Sequence, residues 1–144
     1  MHPLGTAVLS TIGFLLVFIV LYWAFRGFLP GSRIVEQELP APSDVSKTAA
    51  KFTLFYVKWC PYSRDALEVF KSMNNESLIF GGKTVQMKMV DCEAQPNVAR
   101  KYDVTAYPTY KLETSLKMYE YLGPPSAKAL KVFLATVLGP ENVV

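Results

Sequence analysis

A chain of 144 residues holds one compact domain and a short extension. Its net charge of +3 comes from interspersed basic and acidic residues, which leaves no basic stripe and argues against a nucleic-acid partner. Two cysteines and a single histidine, His2, are too few for a disulfide framework, a zinc site or a histidine-based triad.

The first element is apolar. Residues 4–25, LGTAVLSTIGFLLVFIVLYWAF, carry no charge and are long enough to span a bilayer as a helix. Tyr22 and Trp23 suit the membrane interface. A cleaved signal peptide would bring a basic front and a shorter apolar core, and a core helix would bring a polar face. Neither is present, so residues 1–26 read as a transmembrane anchor. Residues 27–50 include Pro30, Gly31, Pro40, Pro42 and Ser43 and read as a juxtamembrane linker.

The domain is expected over residues 51–140. Phe52 to Val57 is nearly all apolar or aromatic, as in a central strand covered on both faces. A helix follows from Pro61 to about Met73, with Ala66, Leu67, Phe70 and Met73 at helical spacing and Pro61 at its first position. The stretch MNNESLIFGGKT reads as a loop with a turn at Gly81-Gly82. Val85 to Val90 alternates as a strand, and Asn97 to Tyr102 forms a short helix after Pro96. Thr109 to Leu112 and Lys117 to Tyr121 pair as a hairpin. Ser126 caps a last helix with Leu130, Phe133, Leu134 and Val137 on its apolar face, and Gly139-Pro140 stops it. The order βαβαββα implies an α/β fold with a parallel core and an antiparallel hairpin at one side.

The chemistry concentrates in FYVKWCPYS, where the first strand meets its helix. Cys60 stands where unpaired N–H groups and the helix dipole favour negative charge, which promotes the reactive thiolate. Lys58 and Arg64 flank it and could assist, although strand alternation can turn Lys58 away, and Trp59 is placed to cover one side of the sulfur. On residues alone, a reactive thiol and an inert, partly buried one stand level. Cys92, after Asp91 at the end of the next strand, reads as a buried free thiol. Pro108 before a strand reads as an ordinary trans proline.

Three segments together resemble the thioredoxin and protein disulfide isomerase superfamily: FYVKWCPYS, VDCEAQPNVARKYDVTAYPTYKL, and YEYLGPPSAKALKVFL. The resemblance covers about Lys51 to Leu138 and implies a three-layer domain with a mixed central sheet, preceded here by one transmembrane helix. It also implies that Tyr107-Pro108 is cis and faces Cys60. In that family Cys60 would be the nucleophile, with Trp59, Pro61, Tyr62, Tyr107 and Pro108 forming the substrate-binding surface. The backbone of Tyr107 would pair with a substrate peptide. No cofactor and no metal are implied. The Cys-Pro-Tyr core is also similar to glutaredoxins, but no glutathione-binding tail follows, so a glutathione-dependent monothiol reductase is the weaker reading.

The departures from the family are specific. Ser63 occupies the position of the lost resolving cysteine, and a serine hydroxyl cannot replace that thiolate. Leu54 stands where the family keeps a buried acid. The usual first strand and helix find no counterpart between Gly31 and Lys51, and Pro124-Pro125 replaces an arginine. A self-sufficient dithiol oxidoreductase is therefore excluded. What remains is a membrane-anchored single-cysteine site forming mixed disulfides with cysteine-containing partner proteins, as in C-x-x-S members of the family. The rival is a non-catalytic assembly component of a membrane-associated complex or a membrane-containing virion. Arg26 and Arg33 after the span direct the domain to the cytoplasm, whereas the resemblance directs it to a lumen or another oxidising face. The sequon Asn75-Glu76-Ser77 reports on that choice.

Overall fold

The computed structural model describes residues 13, 15, 17–19 and 32–142. The chain divides into two units, residues 1–30 and 31–144. In the first, residues 13, 15 and 17–19 are helical and exposed. Among the described residues no helix is long and apolar enough to cross a membrane. Most of the expected anchor, residues 4–25, lies outside them.

The second unit carries one sheet of six strands. These are β1 (Arg33–Gln37), β2 (Ala49–Tyr56), β3 (Ile79–Phe80), β4 (Lys83–Asp91), β5 (Thr109–Glu113) and β6 (Met118–Leu122). Three helices connect them: α1 (Pro61–Asn74), α2 (Pro96–Lys101) and α3 (Ala127–Leu138). The strand order is β1-β6-β5-β2-β4-β3, with β2 and β4 parallel and every other pair antiparallel. This is the expected parallel core with its hairpin on one side.

Two segments correct the sequence reading. The linker assigned to residues 27–50 contains β1, which runs along β6 from Arg33 opposite Leu122 to Gln37 opposite Met118. Ala49 and Ala50, assigned to the same linker, already belong to β2. The physical reason is non-local: Ile34 packs on the core only because Tyr121 of β6 lies opposite it. The loop before Gly81-Gly82 likewise contains β3, which folds back on β4.

The turn joining β3 to β4 needs both glycines, with φ of 53° at Gly81 and 73° at Gly82. They differ in their surroundings. A Cβ on Gly81 would lie 1.8 Å from the Leu138 carbonyl oxygen at the end of α3, whereas one on Gly82 meets nothing within 4 Å. Gly82→Ala is therefore expected to cost only the left-handed backbone term, about 1–2 kcal/mol. Gly81→Ala carries the same term and also prises the end of α3 from the turn, so its loss should be clearly larger. Chemical denaturation of both variants checks the ranking.

Strand alternation sorts the two faces of the sheet. Phe52 and Leu54 of β2, Tyr110 and Leu112 of β5, and Tyr121 of β6 join Ala66, Phe70 and Met73 of α1 and Leu130, Phe133 and Leu134 of α3 in the main core. Phe52 sits at its centre, with ring centroids 5.1 Å from Phe70 and 5.7 Å from Phe133. A smaller cluster holds Phe55, Val57, Cys60, Val90, Cys92 and Ala99, with Tyr102 and Tyr107 packed against it.

Elsewhere the alternate positions of β2 and β5 are polar. Lys51, Thr53, Lys111 and Glu113 are half-buried or buried, Lys111 being only 1% exposed. No helix lies between β1 and β2. The connecting segment reaches this polar row through hydrogen bonds instead: Ser43 Oγ donates to Glu113 Oε1 at 2.8 Å. Tyr102 donates to Glu113 Oε2 at 2.9 Å, and Lys51 lies 2.8 Å from the same oxygen and 3.2 Å from Asp44. Lys111 donates to Gln37 at 2.8 Å and lies 3.1 Å from Glu120. Every charge drawn under this cover has a partner, as burial requires.

Candidate functional site

Cys60 is the N-cap of α1. Its backbone is extended, with φ of −81° and ψ of 119°, and Pro61 supplies the first helical position. The Cys60 carbonyl accepts from the N–H groups of Ser63 and Arg64 at 3.1 and 3.3 Å, which starts the helix. No side-chain oxygen caps this end. Cys60 thus stands at the N-terminal end of a 14-residue helix.

Across from it, the Tyr107–Pro108 peptide bond is cis. The Cys60 thiol donates to the Tyr107 carbonyl at 3.7 Å. The structure therefore brings together Cys60, Tyr107 and Pro108, as the resemblance implied. Cys60 is 7% exposed. Tyr107 also faces the second cysteine: burial pushes its phenol pKa up, and the neighbouring Cys92 adds to the effect.

The surface around the thiol is more open than the sequence reading held. Trp59 and Tyr62 are each 71% exposed, and Pro61 is exposed as well. Trp59, expected to cover the sulfur, is instead mostly in solvent. The burial of Cys60 comes with the cluster of Phe55, Val57, Val90, Cys92 and Ala99.

Lys58 is also engaged elsewhere. Its ammonium lies 2.9 Å from Asp91 Oδ2, and its backbone N–H donates to Glu93 Oε2 at 2.9 Å. The partnership with Asp91 raises the Lys58 pKa and lowers that of Asp91. Asp91 Oδ1 in turn accepts from the N–H groups of Glu93 and Ala94 at 3.0 and 3.3 Å. Asp91 and Glu93 therefore tie the loop before Cys60 to the end of β4, a role the sequence reading did not assign. The available signal was an Asp at a strand end, where its side chain commonly caps the next turn.

Ser63 is fully buried one turn into α1, and its hydroxyl accepts from the Val57 N–H at 3.4 Å. Leu54 is fully buried in the main core. Both cysteines are free. Cys92 is 5% exposed, its thiol donates to the Val90 carbonyl at 3.6 Å, and burial pushes its pKa up. Cys60 and Cys92 are thus both buried free thiols, and burial disfavours the thiolate of Cys92.

The Thioredoxin family model matches residues 42–136 of the chain. Protein disulfide isomerase-like 2-2 of Oryza sativa subsp. japonica is 28% identical over 145 aligned positions, covering 86% of this chain and 38% of that protein. Endoplasmic reticulum resident protein 44 of Bos taurus is 31% identical over 84 residues, covering 56% of this chain and 21% of that protein. The crystal structure of human ERp44 aligns with a TM-score of 0.52 at 27% identity, over 62% of this chain and 28% of that one. The chain spans less than two fifths of the length of either curated relative.

Proposed function

Because this chain belongs to the thioredoxin family, we propose that it captures cysteine-containing partner proteins as mixed disulfides through Cys60. The observation that carries this reading is the pairing of the Cys60 thiol with the Tyr107 carbonyl beside Pro108, with Ser63 at the second position of the motif. Capture is a thiol–disulfide exchange. The Cys60 thiol loses its proton, and the thiolate attacks a partner disulfide R–S–S–R′. A Cys60–S–S–R bond forms, the partner S–S bond breaks, and R′–S⁻ leaves and takes up a proton. No net oxidant is needed.

Release is the slow step of this scheme. The Ser63 hydroxyl is far too weakly acidic to attack the mixed disulfide. Cys92 is buried, and its raised pKa keeps it a thiol. An outside thiol R″–SH must therefore regenerate Cys60–SH and carry R away as R–S–S–R″. Trp59, Pro61 and Tyr62 offer exposed apolar contact beside the sulfur, and the Tyr107 backbone, in the bend before β5, would pair with an extended partner segment.

The same reading includes a membrane anchor over the uncharged residues 4–25 and a domain facing a lumen or other oxidising compartment. The similarity to disulfide isomerase-like proteins supports that face, while Arg26 and Arg33 oppose it. A second reading is favoured by the low exposure of Cys60. In it the domain is a non-catalytic structural component of a membrane-associated assembly, and the thiol is inert.

Non-reducing gels of alkylated lysate separate the two. Capture predicts higher-mass adducts in wild type that vanish with reductant and with Cys60→Ser, while Cys92→Ser leaves them intact. An unchanged partner set in Cys60→Ser, with no adducts in wild type, sinks the capture reading. A direct companion measurement is alkylation: iodoacetamide near neutral pH should label Cys60 before Cys92, because burial disfavours the Cys92 thiolate.

A further inference from the structure

The sequon Asn75-Glu76-Ser77 takes no part in the thiol site, and the fold gives it a particular position. Asn75 is the C-cap of α1, where its backbone N–H donates to the Met73 carbonyl. Its two sequon neighbours continue into the loop before β3. All three residues are exposed. Glu76 turns to α3, where its carboxylate lies 2.7 Å from Lys131 Nζ. Among the described residues, neither the Asn75 amide nor the Ser77 hydroxyl has a side-chain hydrogen bond to another group.

We propose that Asn75 is an N-glycosylation site. The proposal rests on the oxidising, luminal placement argued above. The reaction is a glycosyl transfer from a lipid pyrophosphate-linked oligosaccharide. The Asn75 Nδ2 attacks the anomeric carbon, a C–N bond forms, the C–O bond to pyrophosphate breaks, and the lipid pyrophosphate leaves as the amide nitrogen gives up one proton. The Ser77 hydroxyl supplies the third element of the acceptor motif.

The folded structure accommodates such a glycan without blocking the thiol. Cys60 and Asn75 cap opposite ends of α1. A helix of 14 residues separates them by roughly 20 Å. A sugar chain on Asn75 stands instead at the start of the loop that leads from α1 to β3.

The test is expression of the intact chain in a eukaryotic host, with an independent Asn-Gly-Thr acceptor appended through a flexible extension after Val144. The result expected is two mobility shifts, both removed by an amide-cleaving glycosidase, one of which is lost in Asn75→Gln and in Ser77→Ala. Ser77→Thr should raise the modified fraction at Asn75. Modification of the appended acceptor alone, in wild type and in Ser77→Thr, overturns the Asn75 site while leaving the luminal reading intact. Modification of neither acceptor in a membrane-inserted chain overturns both.

Discussion

Replacing Lys51 by methionine is expected to lower the unfolding free energy by about 3 kcal/mol, the lower end of the cost of breaking a buried ion pair. The lower end applies because Lys51 keeps some exposure and Glu113 keeps two other donors, Ser43 and Tyr102. What makes the change costly is the acceptor left behind. Glu113 is buried on the sheet face that no helix from the β1–β2 connection covers, and Lys51 supplies its only cationic partner among the described residues. Removing both charges, in Lys51→Met with Glu113→Leu, should recover most of the loss, since no uncompensated charge remains. Asp44→Asn, by contrast, should leave stability close to that of wild type, because Asp44 is exposed and its pair with Lys51 is screened. Chemical denaturation of the intact chain ranks these variants. A double variant that is no better than Lys51→Met would show that the cost lies in lost packing and not in stranded charge.

The same network sets an acid limit. Burial alone would raise the Glu113 pKa, but the bonds from Lys51, Ser43 and Tyr102 outweigh it and hold the carboxyl below its ordinary value. Its folded pKa is thus depressed. The stabilisation is present above the unfolded carboxylate value of about 4.3 and is lost as pH falls through the lower folded value. Lys51 has the opposite sign: burial would lower its pKa, and Glu113 and Asp44 together raise it. Its contribution is complete below the unfolded lysine value of about 10.4 and is lost only as pH rises through the folded one. Wild type should therefore lose more stability than the Lys51→Met/Glu113→Leu variant on acidification below about pH 4. Parallel acid unfolding curves for the two would count against the assignment.

This network also marks where sequence reading stopped. The main core was legible because its signal is local. Phe52 and Leu54 alternate along β2, and Ala66, Phe70 and Met73 recur on one side of α1. The helix start at Cys60-Pro61 was legible for the same reason. Lys51, Lys111 and Glu113 were not, because a charge in an alternating strand reads as a solvated face. Their burial depends on Gln37, Ser43, Tyr102 and Glu120, which arrive from distant parts of the chain. Edge strand β1 failed for a related reason, since five residues between prolines carry little periodicity until β6 pairs with them. At the site, Lys58 could be read as a neighbour of the thiol but not as the partner of Asp91, which requires β2 and β4 to lie in register from Phe55 opposite Val90 to Tyr56 opposite Asp91.

Restoring a thiol at the second motif position is the most direct trial of the proposed capture chemistry. Ser63→Cys should shorten the lifetime of Cys60 adducts by at least about tenfold, because an internal thiol one helical turn away acts at an effective concentration that outside thiols cannot match. The position can hold it: Ser63 is fully buried beneath Cys60 and its Oγ lies 3.4 Å from the Val57 nitrogen, a spacing that suits a sulfur acceptor. The rescue should stay incomplete. Leu54 fills the place where the resembled family carries a buried acid, and among the described residues the core around it holds no carboxylate to take the proton of a buried thiol. Desolvation would then hold the new cysteine protonated for most of the time, as it does Cys92. Adding Leu54→Glu should speed release further at a cost in stability, since a carboxyl enters a site lined by hydrocarbon. Ser63→Ala is the control. It removes the acceptor of the Val57 N–H, which should lower stability by about 1 kcal/mol, yet leave adduct lifetimes unchanged because no thiol is gained or lost. Pulse alkylation followed by chase with a fixed concentration of glutathione measures all four lifetimes. Equal lifetimes in wild type and Ser63→Cys would mean that the second position never faces the mixed disulfide, and the single-thiol account of this site would have to be given up.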